Sequence, residues 1–363
     1  MGLFELMTRS GHEQLVFCAT RPAGLRAIIG IHDTTLGPAI GGTRMYPYAC
    51  QDDAVEDVLR LSQGMTAKCA ASGSNFGGGK VVVWGDPNQD KSEELFRALG
   101  LHVQSLGGRF ITGTDVGTAA YDFVAASAET GYLVALPEEY GGSGDSSVTT
   151  AFGVWKGIKA CVEEVTGDPS LRGRTIAVQG LGKVGAKLLG YLCQEGARVT
   201  VTDIDPARVR AVGAEHAVET CASDAIYEVP CDVFAPCALG GVLNHKTIPL
   251  LRCKAIGGAA NNQLAEDRHG DRLHELGIVY APDYVINAGG LIQVSEEFPR
   301  FRRERAMARA AAIYHRLKEI FAISRQEGIP TYKAADLMVK RRLDALAGVA
   351  RIHVPVRPRT DAD

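Results

Sequence analysis

An α/β architecture in two domains is what this sequence predicts, and three observations carry the prediction. At 363 residues the chain outgrows a single hydrophobic core. From Thr175 onward, short apolar strands alternate with amphipathic helices, the pattern of a doubly wound parallel sheet. A glycine-rich turn, Gly180-Leu-Gly182-Lys-Val-Gly185, joins the first of those strands to its helix. The expected boundaries are residues 1–135 for an N-terminal α/β domain and 136–330 for the doubly wound domain. Residues 331–363 are expected to pack back on the first domain or on a neighbouring subunit.

In the first third, residues 25–32, 80–84 and 109–112 read as strands. Asp52 is expected to cap a helix in which Val55, Val58, Leu59 and Met65 recur at three-to-four spacing, laying an apolar stripe toward the sheet and carrying the chain to Lys68. Residues 141–147, Gly-Gly-Ser-Gly-Asp-Ser-Ser, break all periodicity and read as a linker or hinge. Beyond them, residues 175–179, 198–202, 232–235 and 254–257 read as strands of the second domain. Ile313, Leu317, Ile320 and Phe321 form a late helical stripe that Gly328 and Pro330 stop, and Ile352, Val354 and Val356 mark an apolar tail. No internal repeat is present.

Composition removes several classes. Apolar residues make up 46 % of the chain, charged residues 22 %, and the net charge is −3, so nucleic acid is not an expected partner. The basic stretches at 300–309 and 340–342 are interrupted or followed by Glu304 and Asp344 and read as solvated helix faces. Nine cysteines lie scattered, among them Cys18, Cys69, Cys161 and Cys253, without CxxC spacing. That pattern indicates neither a disulfide framework nor a zinc site, and it fits a reduced cytoplasmic setting. Cys69 reads as a small buried hydrophobe. The histidines show no HExxH spacing, so no metal is expected. The Met-Gly-Leu-Phe-Glu-Leu start lacks signal-peptide and myristoylation patterns, and no apolar run reaches membrane-spanning length.

The glycine turn gains meaning from its context. Thr175-Ile-Ala-Val-Gln179 is a short buried strand, and the helix after the turn carries Leu188, Leu189 and Leu192 on one face. Gly180 permits the tight turn, Gly182 lets backbone approach a pyrophosphate, and Gly185 lets helix and strand pack closely. Leu181, Lys183 and Val184 complete the loop, Lys183 reading as solvated, and the helix start offers unpaired N–H groups to phosphate. The next strand ends at Asp203, whose carboxylate would bind the adenosine ribose hydroxyls and repel the extra phosphate of NADP. A Rossmann-type domain binding NAD is therefore expected. The bland alternative is that the glycines merely end a strand.

Two lysines stand near glycines in apolar company, in Gly64-Met-Thr-Ala-Lys68 and in Gly77-Gly-Gly-Lys80 leading into Val81-Val-Val-Trp84. A surface lysine is the ordinary reading. At the mouth of an apolar strand, however, desolvation and a second nearby cation lower a lysine pKa toward about 7 to 8, which suits a general base. The residues alone leave both readings open.

Gly37-Pro-Ala-Ile-Gly-Gly-Thr-Arg44, Gly77-Gly-Gly-Lys80, Thr112-Gly-Thr-Asp115-Val-Gly117, Ala259-Ala-Asn-Asn262 and Ala281-Pro-Asp-Tyr-Val-Ile-Asn-Ala-Gly-Gly290 together resemble the glutamate/leucine/phenylalanine/valine dehydrogenase family. The resemblance spans nearly the whole chain. It implies NAD-dependent, reversible oxidative deamination of an amino acid to a 2-oxo acid, ammonia and NADH, with the first domain binding substrate. It implies that Lys68, with backbone around Gly41 and Gly42, holds the substrate α-carboxylate. Lys80 is then the general base that activates water, and Asp115 shuttles protons and receives the amino group, the three groups titrating jointly. Thr150, Asn261, Asn262 and Asn287 match positions at the junction of nicotinamide and substrate, although a helix cap and loop-stabilising amides are their alternative readings. Closure of a cleft between domains, with hinges near residues 135–147 and beyond about 330, and assembly as a homo-oligomer are further implications.

The same resemblance bears on the substrate. Glutamate-specific members carry a lysine and a serine where this chain has Ile40 and Val294, so a side-chain carboxylate would be buried unpaired. Leucine-type members carry alanine and valine at Gly113 and Leu291. The glycine is expected to remove a methyl from the pocket wall and favour phenylalanine, giving phenylpyruvate, with leucine, valine and tryptophan as alternatives; a backbone conformation that tolerates no side chain at Gly113 and a plain core place for Leu291 are the alternative readings of the two residues. A non-catalytic NAD-binding regulator is the rival from another class, and the filled catalytic positions argue against it.

Overall fold

The computed structural model describes residues 2–298 and 300–349, so the tail valines and Ile352 lie outside the described residues. Two compact units are present. One comprises the described residues of Met1–Gly144, Val294–Arg303 and Arg341–Asp363, the other Asp145–Gln293 and Glu304–Lys340. These limits differ from the expected 135/136 and 330/331 boundaries, and polar anchors account for it. Glu297 is fully buried and accepts N–H bonds from Ala135 and Ser143, which ties residues 294–303 and 135–144 into the first unit. Tyr332 and Lys333 bond Asp271, keeping residues 331–340 with the second unit. Arg342 donates to the carbonyls of Ala70 and Ser74, which joins the segment from 341 to the first unit.

The first unit is built on a five-stranded sheet of β1 (Gln14–Thr20), β2 (Leu25–Asp33), β3 (Ala39–Tyr46), β4 (Gly77–Trp84) and β5 (Phe110–Thr114), in the order β1-β2-β4-β3-β5. The β1–β2 and β2–β4 pairs are antiparallel, the β4–β3 and β3–β5 pairs parallel. Helix α1 (Leu3–Ser10) precedes the sheet, and α2 (Gln51–Ser72), α3 (Glu93–Ser105) and α4 (Asp122–Ser127) follow its strands. Ala54, Val55, Val58 and Leu59 of α2 share a core with Ile28 and Val82 of the sheet, as the apolar stripe requires. Asp52 does not cap this helix. Cys50 occupies the N-cap position without a side-chain bond, and Asp52 lies in the first turn, where its charge favours the helix dipole. Strand β4 begins three residues earlier than its apolar part suggested, because Gly77 and Gly78 pair with Ala39 and Ile40.

The second unit carries a six-stranded sheet of β6 (Thr175–Gln179), β7 (Arg198–Thr202), β8 (Glu219–Thr220), β9 (Cys231–Pro236), β10 (Cys253–Ile256) and β11 (Val279–Tyr280). All neighbours are parallel, in the order β11-β10-β9-β6-β7-β8, so the first strand is central and the chain reverses direction across the sheet between β6 and β9. This is the doubly wound order, in which ligands bind beyond the carboxyl ends of the strands at that switch point. Its helices are α5 (Ser147–Thr166), α6 (Lys183–Gln194), α7 (Pro206–Glu215), α8 (Asp267–Glu275), α9 (Asp283–Ile286), α10 (Gly289–Ser295), α11 (Arg303–Ala311), α12 (Ile313–Glu327) and α13 (Thr331–Ala347), several of whose end residues belong to the first unit. Ile313, Leu317, Ile320 and Phe321 are all buried on α12, and Gly328 ends that helix at φ +66°. None of the described helices is long and apolar enough to cross a membrane. The nine cysteines are unbridged thiols, and burial pushes Cys69 up to about 12.

Candidate active site

Lys80 lies in the middle of β4, directly after its glycines, and is only 6 % exposed. Those glycines let the strand lie against α2: a Cβ on Gly78 would stand 2.1 Å from the backbone nitrogen of Thr66. The Lys80 Nζ is 3.0 Å from Oδ2 of Asp115, the residue that follows β5. Asp115 is set by its loop. Its N–H donates to Thr118 Oγ1, and that hydroxyl lies against the Thr43 carbonyl.

A second cation meets the same carboxylate oxygen. Arg44, on β3, has Nε 3.3 Å from Asp115 Oδ2, and its Nη1 is 3.0 Å from Asp57 Oδ2 on α2. Tyr48 donates its hydroxyl to Asp57 at 2.7 Å, and Arg60 donates to the other Asp57 oxygen at 2.8 Å. The electrostatics follow from these contacts. Burial drives the Lys80 pKa down and Asp115 opposes it, while Arg44 adds to the lowering. Burial alone would raise Asp115, but Lys80 and then Arg44 hold its carboxyl below the usual range. Burial disfavours a charged Arg44, and the Asp115 and Asp57 carboxylates outweigh that effect. An amine whose burial favours loss of its proton, set against a carboxylate held in its charged form, is a proton-transfer pair.

The other expected residues of this unit fall around that pair to different degrees. Gly42, on β3, is adjacent: a Cβ there would come within 2.9 Å of the Asp115 Cβ. Gly41 precedes it on the same strand, and Ile40 before that is 1 % exposed. Lys68 is half-buried near the end of α2, and Val294 is half-buried in the segment that returns to this unit. At Gly113 a Cβ would stand 2.4 Å from the Val134 carbonyl oxygen, beside the Thr112–Leu133 bridge, which favours the alternative reading of a backbone position that tolerates no side chain.

In the second unit the glycine turn lies at the carboxyl end of the central strand β6. Gly180 adopts φ +98°, Gly182 has open space where a Cβ would be, and a Cβ on Gly185 would strike the Gly180 carbonyl at 2.0 Å. Each glycine thus has the geometry its role demands, and the open face at Gly182 suits a pyrophosphate approaching the start of α6. Leu181 is buried, Val184 half-buried and Lys183 exposed. Asp203, after β7, accepts the Leu181 N–H at 2.6 Å and the Asp205 N–H at 2.8 Å. It therefore fixes the loop, and Arg208 Nη1 lies 3.7 Å from the oxygen that holds Leu181.

Thr150 sits in the first turn of α5 and donates its hydroxyl back to the Ser146 carbonyl. Asn287 donates to Asn261 Oδ1 at 2.8 Å, while its own Oδ1 is buried with no partner among the described residues. An orphaned buried acceptor is costly and fits a bound carboxamide N–H of a nicotinamide. Asn262 is exposed and holds φ +50°, a conformation asparagine tolerates better than most residues. Leu291 is 8 % exposed. The Arg44, Asp57 and Tyr48 network was not identified from sequence. Arg44 stood inside a recognised motif, but only the fold brings Asp57 to it from α2.

Comparison with known proteins agrees with this geometry. Residues 12–135 match the model described as Glu/Leu/Phe/Val dehydrogenase, dimerisation domain, and residues 141–210 and 202–353 match Glutamate/Leucine/Phenylalanine/Valine dehydrogenase. The chain is 50 % identical to leucine dehydrogenase of Geobacillus stearothermophilus over 95 % of this chain and 94 % of that one. It is 52 % identical to phenylalanine dehydrogenase of Caldalkalibacillus thermarum, covering 96 % of each. The solved L-tryptophan dehydrogenase of Nostoc punctiforme superimposes with a TM-score of 0.88 at 42 % identity, over 95 % of this chain and all of that one. The chain belongs to the glutamate/leucine/phenylalanine/valine dehydrogenase family, whose members are NAD-dependent amino-acid dehydrogenases.

Proposed function

We propose that this protein catalyses the NAD-dependent, reversible oxidative deamination of a hydrophobic L-amino acid to its 2-oxo acid. The observation that carries the reading is the buried Lys80 amine held 3.0 Å from the Asp115 carboxylate. NAD, when bound, would supply the acceptor for the α-hydrogen leaving as hydride, and the substrate amine lone pair closes the C=N bond of an iminium. Lys80, as the neutral amine, takes a proton from the water that attacks the iminium carbon. Asp115 relays that proton from the Lys80 ammonium to the carbinolamine nitrogen, and as the C–N bond breaks the regenerated Lys80 amine takes the hydroxyl proton, so that the 2-oxo acid forms and ammonia leaves. Lys68, with backbone at Gly41 and Gly42, holds the substrate carboxylate. Residues 180–185 and Asp203 hold the pyrophosphate and ribose of NAD, and Thr150, Asn261, Asn262 and Asn287 face its nicotinamide.

The substrate side chain is apolar, because Ile40 and Val294 offer no charge to pair with a carboxylate. Phenylalanine and leucine are the leading candidates, with valine and tryptophan as alternatives. With Gly113 committed to a backbone contact, the case for an aromatic side chain rests on Leu291 alone, and leucine stands beside it. A homo-oligomer in a reducing cytoplasm completes the proposal, supported by the dimerisation-domain match and by nine unbridged thiols.

The test is direct. Purified protein incubated with NAD and single L-amino acids should generate NADH absorbance with leucine or phenylalanine, and their kcat/KM values rank the substrates. Lys80→Ala should abolish turnover while leaving NAD binding by calorimetry intact. Absorbance with no amino acid would remove the enzymatic reading and leave an NAD-binding regulator.

A further inference from the structure

We propose that Arg44 is a positioning residue that keeps Lys80 in its neutral amine form, and that Asp57 and Tyr48 serve to hold Arg44 in place. The consequence for turnover rests on Lys80 being the general base, as proposed above; the charge effect itself does not.

The argument starts from one oxygen. Lys80 Nζ and Arg44 Nε both contact Asp115 Oδ2, at 3.0 and 3.3 Å. Alone, Asp115 would stabilise the Lys80 ammonium as an ordinary ion pair. A guanidinium stays charged at every working pH, so when two cations crowd one carboxylate it is the lysine whose proton loss is favoured. Strand register makes the encounter unavoidable. Arg44 is paired with Val82 on β4, so it projects to the same face of the sheet as Lys80, two residues earlier. Asp57 fixes the guanidinium by accepting from Nη1 at both oxygens, and Tyr48 and Arg60 each donate to one of those same oxygens. The charged groups shown to act on Lys80 are Asp115 from the β5 loop, Arg44 from β3 and Asp57 from α2, with Tyr48 and Arg60 bonded to Asp57 behind them. Burial of Lys80 and repulsion by Arg44 lower its pKa, against the attraction of Asp115 and Asp57.

Competitive acetylation of the intact protein with acetic anhydride across pH, read at the Lys80 peptide by mass spectrometry, measures amine content without substrate or cofactor. In Arg44→Gln the labelling curve should move to higher pH, so that labelling on the rising limb drops by about threefold or more. Arg44→Lys, which restores a cation, should bring the curve back toward wild type. Circular dichroism checks folding, and Arg44→Met, which keeps the aliphatic stem, replaces the glutamine variant if that fails to fold. The acid limb of kcat/KM should shift in the same direction as the labelling curve. An unchanged Lys80 curve in a folded neutral variant overturns the proposal. A shifted labelling curve with an unshifted kinetic limb upholds it and instead overturns Lys80 as the base.

Discussion

At Gly113 the direction a side chain would take is filled by the Val134 carbonyl, 2.4 Å from an ideal Cβ. Gly113→Ala is therefore expected to destabilise the first unit by about 1 to 3 kcal/mol rather than to switch substrate preference cleanly; denaturant melts of the variant measure this, and an unchanged midpoint would restore Gly113 to the pocket wall. Asp203 is another residue with a burden the sequence did not reveal. Because it holds the Leu181 N–H as well as serving, in the proposed function, the ribose, Asp203→Asn should weaken NAD roughly tenfold or more, with NADP weakened less. Titration calorimetry with both nucleotides gives the ratio, and an unaltered NAD:NADP preference would take Asp203 out of discrimination. Lys80 and Asp115 were legible as parts of motifs. Asp57 was not, because nothing local distinguishes a helical aspartate that turns inward to meet Arg44 from one that faces water.

Elements bring together groups that titrate as units. His12, between α1 and β1, bonds Ser62 of α2, and His32 of β2 bonds Thr66 of the same helix, their rings 4.7 Å apart. His32 Nε2 lies against the Ser10 carbonyl, which only accepts, so that nitrogen carries the proton and Nδ1 accepts from Thr66. Burial, then repulsion from His32, lowers His12 from 6.5 to about 4, and burial lowers His32 as well. The unfolded chain thus binds protons that the fold excludes. Stability is full above pH 6.5 and is lost as pH falls toward 4. The melting temperature should decline across that window, and His12→Gln should flatten the decline between pH 6.5 and 5, before most carboxylates titrate. Equal slopes in both proteins would assign the acid sensitivity elsewhere. Element type was largely readable because alternating and helical apolar patterns are local. The start of β4 was not, since glycines carry no pattern and pair only when β3 is beside them.

For the molecule as a whole, a ligand that binds only the folded state adds stability by mass action. NAD at a hundredfold excess over its Kd should contribute about 2.7 kcal/mol, or a rise of several degrees in melting temperature, and Asp203→Asn, if it weakens NAD tenfold, should forfeit about half of it at the same concentration. Scanning fluorimetry with and without NAD reads both. What the sequence determined by itself was whatever is written in neighbouring residues: the alternation of strand and helix, the glycine turn after β6, the acidic residue at the end of β7, and the motifs that mark the family. Tertiary structure alone decided which residues belong to which unit, why Gly113 lacks a side chain, and that Arg44 shares one Asp115 oxygen with Lys80. Those outcomes depend on contacts between residues tens to hundreds of positions apart, and such contacts exist only once strand order and register have placed them.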